Sequence, residues 1–62
     1  MARLKIARTR AGLTQAQLAK DVGVTRQTIN LIENGRYNPT LKLCLAICHR
    51  LNTSLDELFW ED

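Results

Sequence analysis

The stretch LTQAQLAKDVGVTRQTINLIENG, Leu13 to Gly35, decides the fold of this chain. Apolar residues recur in it at helical spacing on both sides of Gly23. Leu18, Ala19 and Val22 form one inward face, and Ile29 and Ile32 form another. Only Gly23, Val24 and Thr25 separate the two segments, too few residues to lay one helix alongside the other, so the pair must cross steeply. Ala19 is small where the helices meet, Gly23 supplies a left-handed turn, and Val24 plugs the corner against Leu18 and Ile29.

Small residue, glycine, apolar plug and buried isoleucine at these offsets describe a helix-turn-helix. The same punctuation recurs outward along the chain. Gly12, Gly23 and Gly35 each follow a segment of helical period, where a left-handed residue ends a helix. Pro39 adds a break, because Asn38 before it is pushed out of the helical region. Helix starts lie beyond each break: Thr14 with Gln17 and Ser54 with Glu57 fit the capping box, and Thr25 and Thr40 are N-cap residues. Five helices are expected near residues 2–11, 15–22, 26–34, 41–51 and 55–60. Their buried residues are expected to be Leu4, Ala7 and Ala11; Leu18, Ala19 and Val22; Ile29 and Ile32; Leu41, Cys44, Cys48 and Leu51, flanked by Leu45 and Ile47; and Leu55, Leu58 and Phe59. The fold class is all-α, one domain over residues 1–62 without repeat or linker.

At 62 residues the chain is near the lower limit for burying enough apolar surface to fold unaided, which makes a partner subunit plausible. A composition 45% hydrophobic and 24% charged suits a soluble domain rather than a disordered one. No apolar run approaches the roughly 18 residues of a membrane span, and the first residues lack a signal-peptide core, so a cytoplasmic protein without membrane association is expected. The net charge of +3 is unevenly placed. Arg3, Lys5, Arg8, Arg10, Lys20, Arg26 and Arg36 face only Asp21 and Glu33 in residues 1–36, whereas Lys42 and Arg50 are outnumbered by Asp56, Glu57, Glu61 and Asp62 afterwards. A basic N-terminal part points to a polyanionic partner.

Cys44 and Cys48, with His49 beside them, lack the two further ligands a zinc site needs and are expected as a reduced, packed pair, with no metal or other cofactor. A single histidine with no credible triad, no metal set and no room for a pocket argues against an enzyme. No small-molecule ligand is evident, and the three aromatics make no stacking platform for RNA.

The residues Leu13-Thr14-Gln15, Leu18-Ala19, Gly23-Val24, Ile29 and Ile32-Glu33-Asn34-Gly35, with LNTSLDELFW near the end, resemble the Cro and phage-repressor helix-turn-helix family, the XRE-like regulators. The resemblance spans nearly the whole chain. It implies a compact five-helix, lambda-repressor-like DNA-binding domain and a typically dimeric transcriptional repressor. With the third helix in the major groove, Thr25, Arg26, Gln27, Asn30 and Leu31 face base edges. Arg26 is placed to pair with guanine O6/N7 and Gln27 with adenine N6/N7, each good pair contributing about 1–3 kcal/mol of discrimination; Leu31 suits a thymine methyl. Phosphate contacts are expected from Gln15, at a helix N-terminus, and from Thr28, Asn34, Arg36, Tyr37, Asn38 and Lys42, with Lys5 and Arg10 as further candidates. Glu33 on the reading helix repels phosphate unless neutralised; the resemblance supplies a partner from the first helix, here Arg8. A homodimer joined through Leu43, Ile47, Leu55, Phe59 and Trp60 would read an inverted-repeat operator. The rival reading is a protein-interaction or antitoxin-type module on the same fold.

Overall fold

The computed structural model describes residues 2–59, which form five α-helices: α1 (Ala2–Arg10), α2 (Gln15–Val22), α3 (Arg26–Glu33), α4 (Leu41–Arg50) and α5 (Leu55–Phe59). Trp60, expected in the last helix and in a dimer contact, lies outside the described residues. Helices one, three and four stop one residue earlier than the spacing suggested. Asn34 and Leu51, which end α3 and α4, have φ/ψ of −92°/4° and −90°/2°, half out of the helix, and each precedes a left-handed residue, Gly35 or Asn52.

Local chemistry explains the starts. Thr14 accepts from the Gln17 amide while Gln17 Oε1 accepts from the Thr14 amide at 2.8 Å, a complete capping box. Thr25 and Thr40 cap α3 and α4 through the amides of Thr28 and Leu43, both at 3.2 Å. The second expected capping box is only half made: Ser54 accepts from the Glu57 amide, but the Glu57 carboxylate takes the Thr53 hydroxyl instead. At the elbow, Gly23 has φ +80°, and the next amide, Val24, reaches back to Ala19 O at 2.9 Å to close the turn. That backbone conformation strains any residue with a Cβ.

The core lies where α2 meets α3 and α4, with α1 and α5 closing it. Leu4, Leu18, Ile29, Ile32, Ile47 and Leu58 are fully buried, each contributing about 1.5–3 kcal/mol. Val24 packs against this cluster from the elbow, as do Val22, Leu43, Leu51, Leu55 and Phe59 at partial burial. Two helices turn differently from expectation. In α1 Ala7 packs against the core beside Leu4 as expected, but Arg8, one turn on from Leu4, is buried with them, while Ala11 is past the helix end and exposed. In α4 the strip is Cys44, Ile47 and Cys48, and Leu41 and Leu45 are 63% and 50% exposed. A segment apolar on nearly every side carries no phase of its own; α4 takes its phase from α2 and α5, against which it packs. Both cysteines are free thiols, and burial pushes both above their ordinary pKa. None of the described helices is long and apolar enough to cross a membrane.

Candidate nucleic-acid interface

One face of α3 is held down and the other is open. Ile29 and Ile32 are fully buried, while Arg26, Gln27 and Asn30 are exposed and together line a hollow of about 290 Å³ on the outer side of the helix. Leu31 is half-buried beside them. Thr25, also exposed, is already engaged: its hydroxyl oxygen caps α3 and lies 3.0 Å from the Thr28 hydroxyl. Of the five expected base readers, Arg26 and Gln27 therefore project from the open face, Asn30 does so with its Oδ1 3.3 Å from Asn34 Nδ2, Thr25 serves the helix first, and Leu31 offers only an apolar edge.

Glu33, at the far end of α3, is drawn inward. Arg8 Nε donates to Glu33 Oε2 at 2.7 Å and Arg8 Nη2 to Oε1 at 3.2 Å, a two-pronged pair whose side chains are 9% and 4% exposed. The remaining terminal nitrogen of Arg8 donates to Leu13 O at 2.8 Å, and Gln15 Nε2 donates to Glu33 Oε1 at 3.1 Å. The guanidinium neutralises the carboxylate on α3, and the cluster fastens α1, the loop before α2, the first residue of α2 and the end of α3 to one another. A second ion pair, Arg50 with Asp21 at 2.7 Å, ties α4 to α2 on the surface. Charges 29 positions apart gave the sequence reading no signal for it.

The expected phosphate contacts are spread around α3. Gln15 stands at the N-terminus of α2, half-buried, with its amide committed to Glu33. Thr28 is half-buried against Thr25. Asn34, exposed, donates Nδ2 to Asn30. Arg36, Tyr37, Asn38 and Lys42 are exposed, on the loop after α3 and the first turn of α4. Tyr37 and Asn38 edge a second hollow of about 290 Å³ with Pro39, Cys44 and Phe59. Lys5 is exposed on α1, and Arg10 lines a groove of about 520 Å³ between α1 and α5 with Arg3, Ile6 and Glu57. The first turns of α2, α3 and α4 carry no acidic residue of their own, although the Glu33 carboxylate reaches the first residue of α2.

The expected dimer residues need one correction. Ile47 is completely buried within its own domain and has no surface to offer. Leu43, Leu55 and Phe59 are half-buried against the core. The apolar surface that α4 does present is Leu41, expected to be buried, and Leu45, expected at the flank of the buried face.

Comparison with known proteins places this geometry in context. The helix-turn-helix family model matches residues 4–58. An uncharacterized HTH-type transcriptional regulator of Archaeoglobus fulgidus is 44% identical over 57 residues, covering 92% of this chain and 81% of that one. The uncharacterized HTH-type transcriptional regulator YgzD of Bacillus subtilis is 43% identical, covering 94% and 88%. Among solved structures, the restriction-modification controller protein C.AhdI of Aeromonas hydrophila superposes with a TM-score of 0.87 at 34% identity, covering 94% of this chain and 88% of that one. The clp gene regulator ClgR of Corynebacterium glutamicum gives 0.87 at 28% identity, and this chain spans 61% of its length.

Proposed function

The chain belongs to the helix-turn-helix family of transcriptional regulators, the Cro and phage-repressor-like group, and from that membership we propose that it is a repressor that reads an inverted-repeat operator in double-stranded DNA. The observation that carries this reading is the two-sidedness of α3: Arg26, Gln27 and Asn30 stand clear of a helix whose opposite face is locked by Ile29 and Ile32. Such a helix enters a major groove without loosening the core. Arg36 and Lys42 supply charge to the phosphates flanking the groove, and the N-terminus of α4 adds amide donors. Because Arg8 neutralises Glu33, the reading helix meets the polyanion without a local repulsion.

The described domain measures 28 × 22 × 20 Å. One copy is thus shorter than the roughly 34 Å between successive major-groove faces on one side of a duplex, and covers a single half-site. A homodimer covers two, through an apolar surface that includes Leu41 and Leu45 with the edges of Leu43, Leu55 and Phe59. Occupancy of a promoter then blocks transcription by exclusion.

Selection of duplexes from a random pool tests this reading, followed by binding with Arg26→Ala and Gln27→Ala. Each variant is expected to lose preference at its own base pair by about tenfold. Uniform weakening would move both residues to the phosphate class, and retention of a biological activity without any salt-dependent duplex binding would favour a protein-interaction module instead. Sedimentation that finds only monomer at high protein concentration would remove the dimer.

A further inference from the structure

Asn34 is followed by Gly35 at the exposed end of α3, and that dipeptide carries a reaction of its own. The Gly35 main-chain nitrogen gives its proton to water and attacks the side-chain Cγ of Asn34. The Cγ–Nδ2 bond breaks, and Nδ2 takes up a proton and leaves as ammonia. The five-membered imide left behind adds water across either of its two C–N bonds. Opening at Cγ gives aspartate, and opening at the Asn34 main-chain carbonyl carbon gives isoaspartate, in which the chain runs through the former side chain. The exchange consumes water and changes no oxidation state. A side chain on the following residue slows the attack by crowding the nitrogen, and glycine has none. At Gly35 the space where a Cβ would stand is open, with nothing within 4 Å. The other asparagines are worse placed. Asn38 precedes Pro39, whose nitrogen carries no proton. Asn30 lies inside α3 ahead of Leu31, and Asn52 precedes the β-branched Thr53, whose amide donates to Cys48 O at 3.0 Å.

Two hydrogen bonds keep the reacting groups occupied. Gly35 N–H donates to Ile32 O at 3.1 Å, and Asn34 Nδ2 donates to the Asn30 main-chain carbonyl at 2.8 Å, which turns the side chain back along α3. The Arg36 amide, 2.9 Å from Leu31 O, completes the closure. Asn34, Gly35 and Arg36 are all exposed, and hydrogen bonds at an exposed helix end open far more often than those of the core. Opening releases both groups. We propose that Asn34 is a site of spontaneous deamidation, gated by opening of this helix end, and that its conversion is a one-way switch that weakens binding to DNA. The second half rests on the DNA-reading role assigned to α3 above. Conversion sets a carboxylate beside Glu33 at the negative end of the α3 dipole and lowers the net charge of +3 by one. Isoaspartate also lengthens the main chain by one carbon ahead of Arg36, so the bonds that close the helix end lose their register. The expected phosphate contacts of Asn34 and Arg36 are lost together. A bound duplex holds the helix end closed, so free protein ages faster than bound protein.

Peptide mapping by mass spectrometry tests the modification. The full chain is incubated at physiological temperature and mildly alkaline pH, alone, with a duplex selected from a random pool, and in urea. Replacement of amide by acid is expected at Asn34 ahead of Asn30, Asn38 and Asn52, fastest in urea and slowest with the duplex. Conversion at another asparagine first overturns the proposal. So does a folded chain that keeps Asn34 intact while the urea sample converts completely, because the helix end then opens too seldom to react. The converted fraction, separated by its lower charge, is expected to bind the duplex about tenfold more weakly than fresh protein, for all sequences alike. Asn34→Asp, checked for folding by thermal melting, reproduces the aspartate product and its weaker binding. Asn34→Gln, whose ring closure needs six members, is expected to stay intact and to hold its initial affinity through the same incubation. Undiminished duplex binding by the converted fraction overturns the switch and leaves the modification standing. Fresh, folded protein that binds no duplex overturns the DNA-reading role, and with it the switch, while the mapping still decides the modification.

Discussion

The Arg8–Glu33 and Arg50–Asp21 pairs each close at 2.7 Å, and each joins two helices distant in sequence. Their surroundings differ. The first pair is 9% and 4% exposed, two-pronged, and shares its groups with Leu13 O and the Gln15 amide; the second is 43% and 36% exposed. Removing charges from water is costly, and mutual attraction repays the cost only where the geometry is good and the remaining polar atoms are met. The inner pair satisfies that condition. The outer pair forgoes little solvation and gains little. Equal length therefore says nothing about what breaking each contact costs; burial and the number of shared partners decide it.

Urea denaturation separates the two, with the largest change expected inside. Arg8→Ala strands a buried carboxylate and should cost about 3–5 kcal/mol, enough to unfold much of a domain this small at room temperature. The double change Arg8→Met with Glu33→Leu should recover most of that loss, because no unpaired charge remains; a double variant as unstable as the single would mean that the pair itself, and not its half-removal, carries the energy. Gln15→Ala takes one donor from Glu33 but leaves Arg8 in place, and should cost about 1 kcal/mol. Smallest of all, Asp21→Asn should cost about 0–1 kcal/mol, a difference that fades at about 1 M salt while the Arg8→Ala deficit persists. A salt-sensitive Arg8→Ala deficit would erase the distinction between the two sites.

The helices were legible because turn chemistry is local. Gly12, Gly23 and Gly35 sit at φ +74°, +80° and +70°, and Thr14, Thr25 and Thr40 begin the helices that follow breaks in the pattern. The outward face of α3 was legible for the same reason, since Ile29 and Ile32 fix its phase and expose Arg26, Gln27 and Asn30 by difference. Cys44 and Cys48 are buried as expected, but the segment lacks the contrast to place its other apolar residues: α4 reads LKLCLAICHR, and nothing local puts Leu41 outside or distinguishes Ile47, fully buried, from Leu45, half exposed. The long-range polar contacts form a third class. Arg8 and Glu33 are 25 positions apart, and only family resemblance brought them together; the Gln15–Glu33 and Arg50–Asp21 contacts depend on how helices settle in three dimensions, which residue spacing does not encode.

Three helices here begin on threonine, with Asp and Glu withheld from their first turns, while α5 opens with Asp56 and Glu57. Threonine satisfies an amide hydrogen without bringing charge, so the poles of α3 and α4 stay electropositive. Aspartate in place of Thr25 or Thr40 would make a sturdier free protein and a poorer host for anything negatively charged. Thermal robustness and attraction to a polyanion thus pull in opposite directions at those two positions, and an engineer who optimised the first would be eroding the second.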